Sequence, residues 1–441
     1  MISDLFLKPL SKTEGYQALV QAVEKNIGKT AAVFGLTEGA RTVLAGALSQ
    51  GRRTLVVTPS DQAALRMAED LSRSGVSALH FPARELTFYH MAAESRELVH
   101  RRIAVLGRLL DEQVQVVCAP IEALLIPLMP VEEFRRGIVK LDAGDVVDLD
   151  ELSKLLAEMG YVRQETVEAR GQFAVRGGIL DVYPVQSMTA WRIELFDDEV
   201  DSVRELDVMT QRSQPADEAC VIYPATEAAA DGNALLRAAC ALEAEVKNSG
   251  PVQRTPESEV PWLTDEENEV EDAAPADGAV IRRSSDGSAR SNTIDALKLG
   301  HRPEGQENLI PYLYEKPAFF SDYFDPELVV LDEAGRLRER AVNMGLEFAA
   351  KLENALERQE GFPGQSALMD SWDGFIRILE KRRSVTMGLL AVGIPDLKLC
   401  ASVTIETRQA PDFQGQTALL AEQLRDYARR GYAVAMLSGG Q

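Results

Sequence analysis

The stretch AAVFGLTEGARTVLAGAL (residues 31–48) decides the fold. An apolar run, Ala31-Ala32-Val33-Phe34, leads into the glycine-bearing loop GLTEGART (35–42) and then into a helical stretch at 43–48. Strand, loop and helix in that order form the unit in which a nucleotide phosphate is commonly held. The phosphate-binding pattern is G-x-x-x-x-G-K-[ST]. Gly35 takes its first glycine and Thr42 its hydroxyl, but Ala40 stands at the second glycine and Arg41 at the lysine. A Cβ at the tightest position obstructs the curl of backbone N–H groups around an anion. A planar guanidinium does not fit the slot of a compact ammonium. Gly39, one place early, compensates only in part. The loop reads as a degenerate phosphate loop or as an ordinary turn.

Outward from this loop, residues 30–125 alternate strand and helix. Residues 53–58 (RTLVVT) form a buried strand, with Ser60 or Asp61 to cap the next helix. Residues 76–81 and 115–119 are further strands, and 95–110 is a helix whose arginines are expected on its exposed side. Such alternation implies a parallel sheet with crossover helices. Further on, residues 327–331 (ELVVL) are a strand followed by a long helix from 335 to about 358. At that strand's end stands Asp332-Glu333. In helicase-type ATPases such an acidic pair holds magnesium and orients the attacking water. The plainer reading is a helix N-terminus whose acids complement the dipole.

Near residue 140 the pattern changes. An amphipathic helix at 148–159 precedes closely spaced β segments at 171–176, 178–185 and 191–201, the mark of a small antiparallel module. In a strand, alternate side chains face opposite ways. Trp191, Ile193 and Leu195 therefore share a core face, and Arg192, Glu194 and Phe196 share the other. In the preceding strand Arg176 falls on that second face. Arg176, Arg192 and Phe196 thus read as one exposed patch, with the cation-plus-aromatic composition of a binding hot spot. The competing reading packs Phe196 under a loop and pairs the arginines with Asp197 or Asp198.

The chain has 441 residues and a formal charge of −22. That balance argues against this chain gripping a DNA backbone, which needs a positive surface. Cys118, Cys220, Cys240 and Cys400 form no C-x-x-C pair, and His80, His90 and His100 make no ligand spacing with them; reduced thiols and no metal site are expected. No signal peptide opens the chain, and no apolar run reaches membrane-spanning length. Residues 247–295 carry Pro251, Pro256, Pro261, Pro275 and an acidic run at 265–272, and are expected to be a disordered or loosely packed insert. A helix at 416–430 and a strand at 432–437 look like the opening of another α/β domain, so the polypeptide is expected to be part of a longer one.

GQFAVRGGILDVYP (171–184) followed by WRIELFDDEVDSVRELDVMTQRS (191–213) resembles the small second domain of the bacterial transcription-repair coupling factors, the Mfd family, a region shared with the excision-repair subunit UvrB. FPARELTFYHMAAESRELVHRRIAVLGRLL (81–110) is similar to the family's first domain. The resemblance implies an α/β fold: a degenerate P-loop, RecA/helicase-like parallel-sheet domain in two segments, with an inserted small mixed α/β domain built on an antiparallel sheet. The segments would be 1–139 (domain 1a), 140–222 (domain 2), 223–408 (domain 1b) and 409–441 (start of domain 3). It further implies that Arg176, Arg192 and Phe196 belong to the surface that recruits UvrA. Gly35, Ala40, Arg41, Thr42, Asp332 and Glu333 would be remnants of a nucleotide site, with no catalytic residue, metal or cofactor in this chain. UvrB's tyrosine-rich damage-probing hairpin would be replaced by a stretch holding only Phe88 and Tyr89. The full-length family protein is an ATP-dependent DNA translocase of helicase superfamily 2, using ATP and magnesium. Its motor and its contacts with RNA polymerase and double-stranded DNA would lie beyond residue 441, in a cytoplasmic protein. The alternative is a nucleotide hydrolase or helicase-type domain with an atypical P-loop.

Overall fold

The computed structural model describes residues 10–88, 96–110, 114–216, 218–248, 289–303, 305–391, 393, 395–409, 411, 413, 415–432 and 434. Tyr89, His90, most of the acidic insert and most of the strand expected at 432–437 lie outside the described residues.

Helix α1 (Glu14–Lys25) leads into β1 (Thr30–Phe34), α2 (Glu38–Leu48), β2 (Thr54–Thr58), α3 (Asp61–Arg73), β3 (Ala78–His80), α4 (Glu97–Leu110) and β4 (Val116–Pro120). Ser60 caps α3, its hydroxyl accepting from the Ala63 N–H. The chain then enters a second sheet through β5 (Val139–Leu141) and α5 (Leu149–Glu158). That sheet is built from β6 (Val162–Arg163), β7 (Gln172–Arg176), β8 (Ile179–Val182), β9 (Ala190–Phe196), β10 (Glu199–Asp207) and β11 (Arg212–Pro215). β12 (Cys220–Ile222) leads out of it. After α6 (Gly232–Asn248) and α7 (Ala289–Lys298) come β13 (Leu328–Asp332), α8 (Ala334–Glu357), β14 (Arg383–Met387), β15 (Leu399–Thr404) and α9 (Thr417–Arg429).

The main sheet has the order β15-β1-β14-β13-β2-β4-β3, parallel throughout. Strands from two distant stretches of chain therefore interleave in it. The smaller sheet, β11-β10-β9-β8-β7-β6, is antiparallel except at its β6–β7 edge. β5 and β12 pair antiparallel where the chain leaves for that sheet and where it returns. An α/β parallel sheet with a separate mixed antiparallel sheet is the architecture the sequence implies.

Period-two alternation explains the core. Val56, Val116, Cys118, Val330 and Val385 face α1, α2 and α3 in one apolar cluster. Leu55, Val57, Val117, Val329 and Leu331 face the other way. The second cluster continues into the core face of the small sheet through Phe173, Leu180, Val182, Trp191 and Ile193. The two sheets thus share one apolar interior.

Four expectations are corrected. The segment 191–201 is not one strand: a two-residue turn at Asp197-Asp198 splits it into β9 and β10. The flanks of the acidic insert are helical, because α6 and α7 pack on each other and bury Leu235, Leu242, Ile294 and Leu297. The strand expected at 76–81 is reduced to three residues. Helix α4 does expose Arg101 and Arg108, but Arg102 is fully buried. Its Nε donates to the buried Glu227 carboxylate and its Nη1 to the Pro82 carbonyl, and its guanidinium lies 4.2 Å from the Phe81 ring centroid. Burial of so large a cation is tolerated because carboxylate, carbonyl and ring face converge on it. All four cysteines are free thiols.

Breaking a buried ion pair from one side strands the other charge, at a cost of about 3–5 kcal/mol. Arg102→Ala is therefore expected to lower the urea-unfolding free energy by about that amount. A loss below about 1 kcal/mol, the scale of an exposed pair, would contradict this account of the Arg102–Glu227 contact.

Candidate functional site

Two places carry the sequence-derived residues. The first is the C-terminal end of the parallel sheet, at the loop after β1. Helix α2 starts at Glu38, earlier than expected, with Thr37 as N-cap. Gly39, Ala40, Arg41 and Thr42 are therefore helical, and the loop shrinks to Gly35, Leu36 and Thr37. Gly35 has φ +83°, and a Cβ there would sit 2.7 Å from the Ile405 carbonyl oxygen, so glycine is required by close backbone approach. The loop's N–H groups are already engaged. Gly35 N–H donates to the Leu389 carbonyl at 3.1 Å, and Leu36 N–H to the Gly388 carbonyl at 3.2 Å. Thr37 N–H donates to Thr407 Oγ1 at 2.8 Å. A phosphate nest needs such donors free and convergent.

Arg41 crosses the same space. Its Nη1 lies 2.5 Å from Asp332 Oδ1 and 3.5 Å from Glu333 Oε2. The structure thus brings Arg41, Asp332 and Glu333 together. Glu333 occupies the N-cap position of α8 but makes no side-chain cap; its carboxylate turns to Arg336 at 2.7 Å. Asp332-Glu333 thus stand at a helix N-terminus, as the plainer reading has it, but without a side-chain cap hydrogen bond. Asp332 is buried at the end of β13, and burial raises its pKa to about 6 against the opposing pull of Arg41. Ala40 and Thr42 are half-buried in the helix.

The second place is the polar face of the small sheet. Phe196 ends β9 with 80% of its surface exposed. It stands just before the turn at Asp197, whose φ is +57°. Arg176 and Arg192 are on the same face, as the alternation predicts. Both converge on Asp181, not on Asp197 or Asp198. Arg192 Nε and Nη2 donate to its two carboxylate oxygens at 2.7 and 2.8 Å. Arg176 Nη2 lies 2.5 Å from Asp181 Oδ2. The Asp181 side chain is fully buried, that of Arg192 is 16% exposed and that of Arg176 is 47% exposed. The hydrogen bonds it donates to Asp181 hold the Arg192 guanidinium above its ordinary pKa.

Sequence reasoning missed Asp181. Its signal was present in ILDV (179–182), where Leu180 and Val182 face the core and an acid falls between them, opposite Arg192 in the β8–β9 register. Arg204, directly opposite Arg192 on β10, was also missed; its Nε donates to Ser213 Oγ at 3.0 Å.

Two outcomes follow. Arg192→Ala leaves a buried carboxylate with one arginine in place of two, so it should cost about 1–3 kcal/mol of stability, whereas Phe196→Ala should leave the melting temperature unchanged. Equal melting temperatures for Arg192→Ala and wild type would refute the coupling. For Asp332 the folded-state pKa lies above the unfolded one, so the native state binds more protons across that interval and loses stability as pH rises through it. Asp332→Asn removes this titration. Its unfolding free energy relative to wild type should therefore climb by about 2–3 kcal/mol between pH 4 and pH 7. A flat difference across that range would show that Asp332 titrates normally.

Comparison with known proteins places these features. The family model described as the UvrB interaction domain matches residues 139–227, from β5 to just beyond β12. The transcription-repair-coupling factor of Bacillus subtilis (strain 168) is 27% identical over 437 residues, covering 98% of this chain and 35% of the relative. That of Staphylococcus aureus (strain MRSA252) is 26% identical over 411 residues, covering 92% of this chain and 33% of the relative. That of Staphylococcus haemolyticus (strain JCSC1435) is 26% identical over 362 residues, covering 81% and 28%. The chain spans about a third of the length of these relatives. Residues 139–227 thus match the UvrB interaction domain, and the chain that carries them is similar over most of its length to the transcription-repair-coupling factors.

Proposed function

We propose that the small sheet recruits the excision-repair protein UvrA, and that the chain serves as the UvrB-like recruiting portion of a transcription-repair coupling factor. One observation carries this reading: a phenylalanine 80% exposed at the end of β9, beside two arginines oriented by a fully buried acid, within a UvrB interaction domain. An apolar ring held in water by a rigid strand is unfavourable for the chain alone and useful to a partner that covers it. Preorganised guanidiniums lose little entropy on docking, which favours a partner surface bearing acids at matching positions.

In the same reading the pocket after β1 holds no nucleotide. Its amides are spent on Leu389, Gly388 and Thr407, and its cation on Asp332. ATP hydrolysis, DNA translocation and contacts with RNA polymerase and double-stranded DNA then belong to other parts of a full-length protein, in the cytoplasm. The chain's formal charge of −22 fits a protein-recruiting role better than a DNA-gripping one.

Co-elution with purified UvrA tests the proposal. Phe196→Ala is the clean variant, since 80% of the residue's surface is exposed. Loss of one aromatic anchor costs about 2 kcal/mol or more, so affinity should fall about 30-fold. Unchanged co-elution would remove Phe196 from the interface. For the nucleotide pocket, millimolar ATP with magnesium should leave the melting temperature where it is. A rise would favour a nucleotide hydrolase with an atypical loop, because a ligand that binds the native state must stabilise it.

A further inference from the structure

We infer that the recruitment surface does not end at Phe196 but continues across the β9–β10 hairpin to Val146, and that the partner meets this end with an apolar socket rimmed by lysine or arginine. The inference rests on the recruitment reading above and adds residues and a partner chemistry to it.

Val146 lies in the short segment between β5 and α5 and is 79% exposed. It forms an isolated antiparallel bridge with Glu199 of β10. Glu199 is in turn the cross-strand partner of Phe196. Directly paired residues in an antiparallel sheet project from the same face. Phe196, Glu199 and Val146 therefore form one row across three adjacent strands. With strands about 4.8 Å apart, the two apolar groups stand about 10 Å from each other, within reach of one partner pocket. The row is fixed by backbone. Val147 N–H donates to the Asp198 carbonyl at 2.7 Å, Val200 N–H to the Asp145 carbonyl at 2.8 Å, and Gly144 N–H to the Val200 carbonyl at 2.8 Å. Single exposed apolar residues are ordinary. Two large ones, each about four-fifths exposed and held in register by main-chain bonds, form a shaped surface.

Charge specifies the partner. Asp142, Asp145, Asp197, Asp198, Glu199 and Asp201 are all exposed around this row. Segments 142–151 and 193–203 hold no lysine or arginine. On the same face Arg176 stands one rung further along the sheet, level with Glu194, and Arg192 and Arg204 stand on the rung beyond that. The face is therefore acidic around the apolar pair and cationic over the next two rungs. A complementary protein surface has the reverse order, with acids facing the arginines and a basic rim about the socket. Such an arrangement fixes the orientation of docking as well as its strength.

The test measures binding of the whole chain to purified UvrA for wild type, Phe196→Ala, Val146→Ser, Val146→Arg and Glu199→Lys, with a melting temperature for each. Val146→Ser should weaken binding about 5-fold, as loss of one buried aliphatic contact implies, and Val146→Arg and Glu199→Lys at least about 10-fold, with wild-type melting temperatures. In a Phe196→Ala background the Val146→Ser effect should shrink, since neighbours filling one socket are not additive. If both Val146 variants bind like wild type while Phe196→Ala still weakens binding, the extension is overturned and the recruitment reading stands. If Glu199→Lys binds as well as wild type or better, the basic rim is overturned. A wild-type chain that does not bind UvrA removes both readings. Val146→Ser keeps a small side chain at an exposed position, so the outcome does not hang on the arginine variant folding.

Discussion

A carboxylate without access to water governs what the small sheet presents. Asp181 sits on the polar face of β8, yet its side chain is fully buried, because Arg176 and Arg192 close over it from the strands on either side. A lone buried carboxylate would be prohibitively costly, and its charge is tolerated only with paired, hydrogen-bonded cations. The same bonds hold both arginines upright. Exposure then divides the labour: Arg192, mostly covered, is chiefly an anchor, while Arg176 and Phe196 retain surface for contact. A substitution at Arg192 therefore mixes stability with recognition, and one at Phe196 does not.

Much of this was legible in the sequence. Period two put Arg176, Arg192 and Phe196 on one face before any coordinates, because alternation depends only on backbone geometry. Strand–helix alternation gave the parallel sheet, because parallel neighbours need a crossover connection and a helix supplies it. What could not be read was depth. Asp181 is an acid on the polar face by pattern, and its burial arises from two side chains that reach it across strands. Arg102 fits a solvent-facing position of an amphipathic helix, but the chain returning through Glu227 covers it. The start of α2 was read five residues too late because a phosphate-loop template was laid over it. The residues themselves, with Glu38 in the first turn, suit a helix N-terminus. In each case local pattern gave the direction of a side chain, and long-range contact decided its surroundings.

Long-range contact is also what the pocket after β1 supplies. The parallel sheet interleaves strands from residues 30–120 with strands from 328–404, separated by the whole small sheet. β13 and β14 must insert between β1 and β2, and closing so long a loop is entropically unfavourable. Contacts that recognise the returning segment oppose that cost. Arg41 and Asp332 meet across 291 residues of sequence, one in the first turns of α2 and the other at the end of β13. Thr407 stitches the loop from the other side, its Oγ1 accepting from Thr37 N–H and donating to the Gly35 carbonyl. In an ATP-binding loop these groups would be held open for phosphate and magnesium, and a pocket kept open contributes nothing to closure. Here an arginine at the lysine position reaches the acid at the end of β13 directly. Arg41 thus clasps the two halves of the parallel sheet, the scaffold from which the inserted sheet with its exposed phenylalanine departs and to which it returns.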